Sequence, residues 1–266
     1  MLPEVVQELE IDAAEYTFDI SPDPSGGLAP GWTRVRLHNT GVEAHQVMFA
    51  RLKDGVDLSE LAAAGAGDSS GAGAIEFVDM IGGVSYIGPD HDITALVNLP
   101  EGAVIAMCYV PDADGVAHAL LGMSTALTVS AAGADTRSLA PGPRDDEVRG
   151  TIELASDGYR VPDDLTTGWY HVTNTDTALH ELALLGLGTP IADEDVGRLV
   201  ADLAANRTPS VDLEAVGGMG AISAGFDGYL YLDLEAGDYL AVDFMPDPGD
   251  PRPHMLDGYY DTFRVA

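Results

Sequence analysis

The chain has 266 residues, room for two domains of ordinary size, each with its own core. Its 44 Asp and Glu against 12 Lys and Arg give a net charge of −32, with Lys53 the only lysine, and this excludes nucleic acid as a partner because phosphate binding needs clustered basic residues. Cys108 is the only cysteine, which excludes an intrachain disulfide, and no apolar run approaches the ~18 residues of a membrane span.

An acid-rich surface stays hydrated at high ionic strength and steers the protein toward basic partners. The opening residues Met1-Leu2-Pro3-Glu4 lack the basic and apolar regions of a secretion signal. The expectation is a cytoplasmic protein or one whose leader has been removed.

Along the first half, short segments that alternate or carry β-branched residues predict strands around Val35–His38, Gln46–Phe49 and Thr94–Leu99. Between the second and third, residues 57–64 predict a weak helix, broken by Gly65 and Gly67. Gly82-Gly83 reads as a strand-edge turn. Val104, Ala106 and Cys108 share one strand face, which places the thiol inside a sandwich. A last strand is expected at residues 125–130, followed by an Ala-, Gly-, Pro- and Asp-rich linker over 131–147. Further on, Ile191, Val196, Leu199, Val200 and Leu203 mark one face of a helix whose N-terminal end is acidic.

The second half repeats the first. Gly31-Trp32 leads through Asn39 to His45, and Gly168-Trp169 leads through Asn174 to His180, with six positions from Asn to His in each. Gly82 and Gly217 each stand twenty positions before Gly102 and Gly237, and six positions further on come Cys108 and Asp243. His118 then matches His254, and Met123 matches Tyr259, each pair five positions apart. Domains at 1–130 and 148–266, with independent cores, follow from this repeat. Many short strands at such spacing indicate an all-β fold of sandwiches.

The stretch from Asn39 to Phe49, and that from Gly102 through Cys108 to His118 and Gly122-Met123, resemble the ligand-bearing segments of the cupredoxins, with plastocyanin and azurin nearest in feel. The resemblance implies two tandem Greek-key cupredoxin-like β-sandwiches, each with one short helical insertion. It nominates His45, Cys108, His118 and Met123 as ligands of one copper ion per chain, since a thiolate, two imidazoles and a distant thioether suit that metal. In that family only a few residues separate the cysteine from the second histidine, whereas nine do here. The excess, Pro111 to Gly115, has turn composition and is expected to bulge outward and return the chain.

The second copy has lost the thiol and the thioether. His180, Asp243 and His254 remain as a weaker metal candidate, two imidazoles and a carboxylate. The alternative for both His118 and His254 is a buried hydrogen-bonded tie. His38, His91 and His171 form no ligand-spaced pair.

Three functions stay open: a copper-binding electron carrier or copper carrier using the first copy and a basic redox partner, a metal-free interaction module, and an oxidoreductase of the two-domain copper type. The last requires His-x-His or His-Cys-His pairs that are missing, and no catalytic residue is nominated. Gly67, Ser69 and Gly71 match the letters of a nucleophile elbow but read as a flexible loop. Family resemblance favours an extracytoplasmic location, periplasmic, cell-surface or secreted.

Overall fold

The computed structural model describes residues 3–65, 72–131, 148–162 and 165–266. In the first copy the elements are β1 (Val5–Ala14), β2 (Thr17–Ser21), β3 (Gly31–Asn39), β4 (His45–Leu52), α1 (Leu58–Gly65), α2 (Ala72–Ile75), β5 (Val78–Ile87), β6 (Asp92–Leu99), β7 (Gly102–Met107) and β8 (Ser124–Val129). The second copy runs β9 (Val148–Ala155), β10 (Gly158–Arg160), β11 (Gly168–Asn174), β12 (His180–Leu187), α3 (Asp193–Ala204), β13 (Leu213–Ile222), β14 (Asp227–Leu232), β15 (Gly237–Val242) and β16 (Tyr260–Val265). The nucleophile-elbow letters, and all of the expected linker but Ala131, lie outside the described residues.

Each copy divides its strands between two facing sheets in the same order. The first contributes β2-β1-β3-β6 and β8-β7-β4-β5, the second β10-β9-β11-β14 and β16-β15-β12-β13. β1 runs parallel to β3, and β9 to β11, while the other pairs are antiparallel. This is the tandem sandwich that the repeat implies. The first copy holds two helices, α1 and the short α2, rather than one.

The copies are not independent units. β6 pairs with β14 (Leu96 opposite Tyr229) and β5 pairs with β13 (Val84 opposite Met219), giving two continuous eight-stranded sheets. The principal core therefore takes Leu37, Phe49 and Val84 from one copy and Leu182, Met219 and Leu230 from the other. Open sheet edges expose unpaired backbone groups, and here each copy covers the edges of its neighbour. The sequence holds a trace of this in β5, where eight of the ten residues Val78–Ile87 are buried instead of alternating.

Helices α1 and α3 lie where the sequence places them. Asp57 Oδ1 accepts from the N–H groups of Ser59 and Glu60, while Glu60 Oε2 accepts from the Asp57 N–H, a reciprocal cap at the start of α1. α3 buries Val196, Leu199 and Val200 against Leu240, Val242 and Met255 and keeps Asp193, Glu194 and Asp195 at its first turn. Among the described residues no helix is long and apolar enough to cross a membrane.

Gly82-Gly83 and Gly217-Gly218 depart from expectation. They lie in the middle of β5 and β13, not at strand-edge turns, with φ of +101° and +142° in the first pair and +112° and +130° in the second. A Cβ on Gly83 would collide with the Val47 carbonyl oxygen, and one on Gly218 with that of Leu182. Glycine here lets β5 and β13 press against β4 and β12, the strands that begin with His45 and His180.

Candidate metal centre

In the first copy, pairing of β4 with β7 sets Met48 opposite Met107, so the start of β4 and the residue after β7 meet at one end of the sandwich. His45 opens that strand and Cys108 follows β7. The loop before His45 is fixed by Asn39, whose Nδ2 donates to the Glu43 and Ile87 carbonyls at 2.7 and 3.0 Å and whose Oδ1 accepts from the Gly41 N–H. Asn174 makes the same bonds to Ala178 and Ile222 in the second copy, which explains why the six-residue Asn-to-His spacing recurs.

The nine residues between Cys108 and His118 form a small hairpin. Pro111 bridges Ala117, the Asp112 N–H donates to the Val116 carbonyl, and the Asp112 carboxylate accepts from Asp114 and Val116. The chain then returns: the His118 N–H donates to Val110 at 2.9 Å and the Ala119 N–H to Cys108 at 2.8 Å. The extra residues thus project outward, and Cys108 and His118 on either side stay together. The Met123 N–H donates to His118 and the Cys108 N–H to Met123, holding the fourth candidate beside the others.

His45, Cys108, His118 and Met123 are all fully buried. The sulfur of Cys108 and one ring nitrogen from each histidine lie within 4.8 Å of one another. Sγ is 3.6 Å from His118 Nδ1, and the buried Nδ1 of His45 has no hydrogen-bond partner. The outward nitrogens face carboxylates: His45 Nε2 lies 3.4 Å from Glu15, and His118 Nε2 lies 3.1 Å from Glu43 without hydrogen-bond alignment. A carboxylate at Nε2 favours the proton there and leaves the Nδ1 lone pair turned inward. Glu15 suits this task because the backbone N–H groups of Glu43 and Val42 hold its carboxyl down at about 2.

Burial pushes both histidines below the ordinary imidazole range, His45 also through the neighbouring His118. Burial likewise pushes the Cys108 thiol up to about 12, against the pull of backbone N–H groups from Gln46 and Val110. A neutral imidazole pair beside a thiol with amides aimed at its sulfur is a donor set fitted to a soft, thiolate-binding transition metal. An orphaned, inward-facing Nδ1 is the local sign of that fit.

The second copy keeps the imidazole pair in the same pose. Ring centroids are 5.1 Å apart with planes at 58° in both His45–His118 and His180–His254. Between them, however, stands the buried carboxylate of Asp243, whose Oδ2 lies 2.8 Å from His180 Nδ1 and 3.0 Å from His254 Nδ1. Its Oδ1 accepts from the Met245 N–H. Tyr259 takes the place of Met123 and stacks on His180 at 4.0 Å, its hydroxyl donating to the Ala155 carbonyl. Although burial opposes it, contact with Asp243 raises the His254 pKa above the ordinary value.

His38, His91 and His171 stand away from both clusters, each near a single carboxylate: Asp12, Glu214 and Asp227. The carboxylates behind the ring nitrogens, Glu15, Glu43, Asp176 and Asp247, went unnoticed in the sequence. Glu43 and Asp176 lie in the loops before the first histidines, two and four positions ahead of them, a short-range signal in the sequence. Glu15 arrives from the β1–β2 turn and has no such signal.

The strand order of each copy and the meeting of its histidines at one end settle the architecture. The fold is a tandem pair of β-sandwiches, the architecture that the cupredoxin resemblance implies. No protein-family model matches the chain, and no curated protein matches it. Among solved structures it is similar to reduced auracyanin from Roseiflexus castenholzii, at 20% identity and a TM-score of 0.33, covering 47% of this chain and 97% of that one. It is also similar to auracyanin A, a blue copper protein from Chloroflexus aurantiacus, at 18% identity and a TM-score of 0.32, covering 46% and 98%. A copper-containing nitrite reductase from Thermus scotoductus is similar at 10% identity and a TM-score of 0.30, covering 98% of this chain and 68% of that one.

Proposed function

We propose that the first copy binds one copper ion through Cys108 Sγ and the Nδ1 atoms of His45 and His118, with Met123 as a weak axial neighbour, and serves one-electron transfer or copper carriage. The observation that carries this reading is the convergence of one sulfur and two nitrogens within 4.8 Å, one of those nitrogens buried and unpartnered. Copper bound there supplies a one-electron couple. The chain's own part is to hold the ligands still. Asn39 pins the first loop, the 111–117 hairpin pins the second, and the Gln46 and Val110 amides receive the charge of the thiolate. Ligands fixed by packing before the metal arrives move little when its charge changes.

We take His180, Asp243 and His254 as a metal-free tie, because the Asp243 carboxylate already engages both Nδ1 atoms. The acid-rich surface suits a basic redox partner, and the resemblance to cupredoxins suits work outside the cytoplasm. Copper(II) added to the purified chain is expected to produce an intense visible thiolate-to-copper band at one equivalent, abolished in Cys108→Ser. A colourless protein that retains no copper overturns the reading.

A further inference from the structure

A small cavity of about 60 Å³ is lined by residues of both copies, on the side of β4 and β12 opposite the histidines. Gln46 and Glu181 hold equivalent places there, each following the first histidine of its copy, and successive residues of a strand point to opposite faces. Gln46 is 1% exposed and Glu181 is fully buried. Glu181 Oε1 accepts from Ser85 Oγ at 2.6 Å, but its Oε2 and Gln46 Oε1 have no hydrogen-bond partner in the protein. Tyr86, Tyr109 and Phe244 supply much of the remaining wall, and no residue lining the cavity is basic.

A buried carboxylate oxygen without a partner is costly, and the cost is removed either by a proton or by a cation. No basic side chain lines the cavity, and burial raises the Glu181 carboxyl to about 8, so a cation competes there with a proton near neutral pH. We propose that this cavity is a site for one small monovalent cation, held by Glu181 Oε2 and Gln46 Oε1 with aromatic rings around it. The lining offers one carboxylate and no other charged group, so a single positive charge balances the site and a divalent cation would leave it with an excess. Aromatic walls favour potassium, rubidium or ammonium, whose weakly held hydration is replaced by ring faces. The volume admits a small ion together with water, since one water needs on the order of 10–15 Å³ of such space. Because its walls come from both copies, an occupied site also ties them together.

The inference stands whether or not copper binds, and it is tested on the whole chain without added copper. Melting temperature is measured at fixed ionic strength while N-methylglucamine, too large for the cavity, is replaced by potassium, rubidium or ammonium. The melting temperature should rise with the logarithm of the small cation's concentration and stay flat in Glu181→Gln. Crystals grown in rubidium chloride give a second readout that needs no variant, an anomalous peak beside Glu181 Oε2. Equal stabilisation by the bulky cation, an equal response in Glu181→Gln, or a cavity holding only water overturns the proposal in favour of a protonated Glu181.

Discussion

Two imidazoles meet at the same distance and angle in each half of the molecule, yet the group between them differs. In the first copy that group is a thiol with the Nδ1 of His45 left unpaired; in the second it is a carboxylate engaging both Nδ1 atoms. The histidine pair therefore belongs to the scaffold, and the residue after β7 or β15 decides what the pair can do. Where Asp243 stands, its carboxylate satisfies both Nδ1 atoms. Where Cys108 stands, the buried Nδ1 of His45 has no hydrogen-bond partner in the protein.

Converting the second site into the first is the most demanding test of that comparison. Asp243→Cys combined with Tyr259→Met should raise bound copper from one to about two per chain, with a matching increase in the visible band, as copper titration would show. Unchanged stoichiometry would mean that the one-residue-longer second loop, not Asp243, keeps that copy empty of copper.

The joined sheets make a second test. Gly83→Ala and Gly218→Ala each drive a methyl group against a carbonyl oxygen at positive φ and should each cost more than about 2 kcal/mol. Since one core spans both copies, denaturant unfolding should stay a single transition, shifted similarly by either substitution. Two separate transitions, each answering to only one glycine, would show the copies to be independent.

A smaller difference is expected in proton binding. In the copper-free chain, burial lowers His45 and His118 below their ordinary 6.5, so the stability they lend is present above pH 6.5 and lost as pH falls through their folded values. Asp243 raises His254, so its contribution is full below 6.5 and lost as pH rises through the folded value. Imidazole resonances followed by NMR should titrate in that order, His45 and His118 low and His254 high. The reverse order would remove the electrostatic distinction between the sites.

Much of the candidate site was readable from the chain. The cupredoxin resemblance nominates His45, Cys108, His118 and Met123, and the second copy, which repeats the histidines and changes the sulfur residues, shows that the scaffold keeps the histidine pair without the sulfurs. The nine-residue gap exceeds that of the family, yet the turn residues from Pro111 to Gly115 fold back on themselves and return His118 to the side of Cys108. Gly82-Gly83 misled because a glycine pair suggests a turn, whereas its role is a close approach between β5 and β4 that only packing reveals.

Local pattern and repetition by themselves determined the strands and the duplication, because alternation and spacing fix which residues share a face, while the clustered side chains were nominated by the cupredoxin resemblance. Tertiary structure alone decided that the copies merge edge to edge, that Glu15 stands behind His45, and that Gln46 and Glu181 share a cavity. Those facts depend on which sheet edge meets which, a choice made by pairing energies between residues far apart in the chain and unmarked by any short-range spacing.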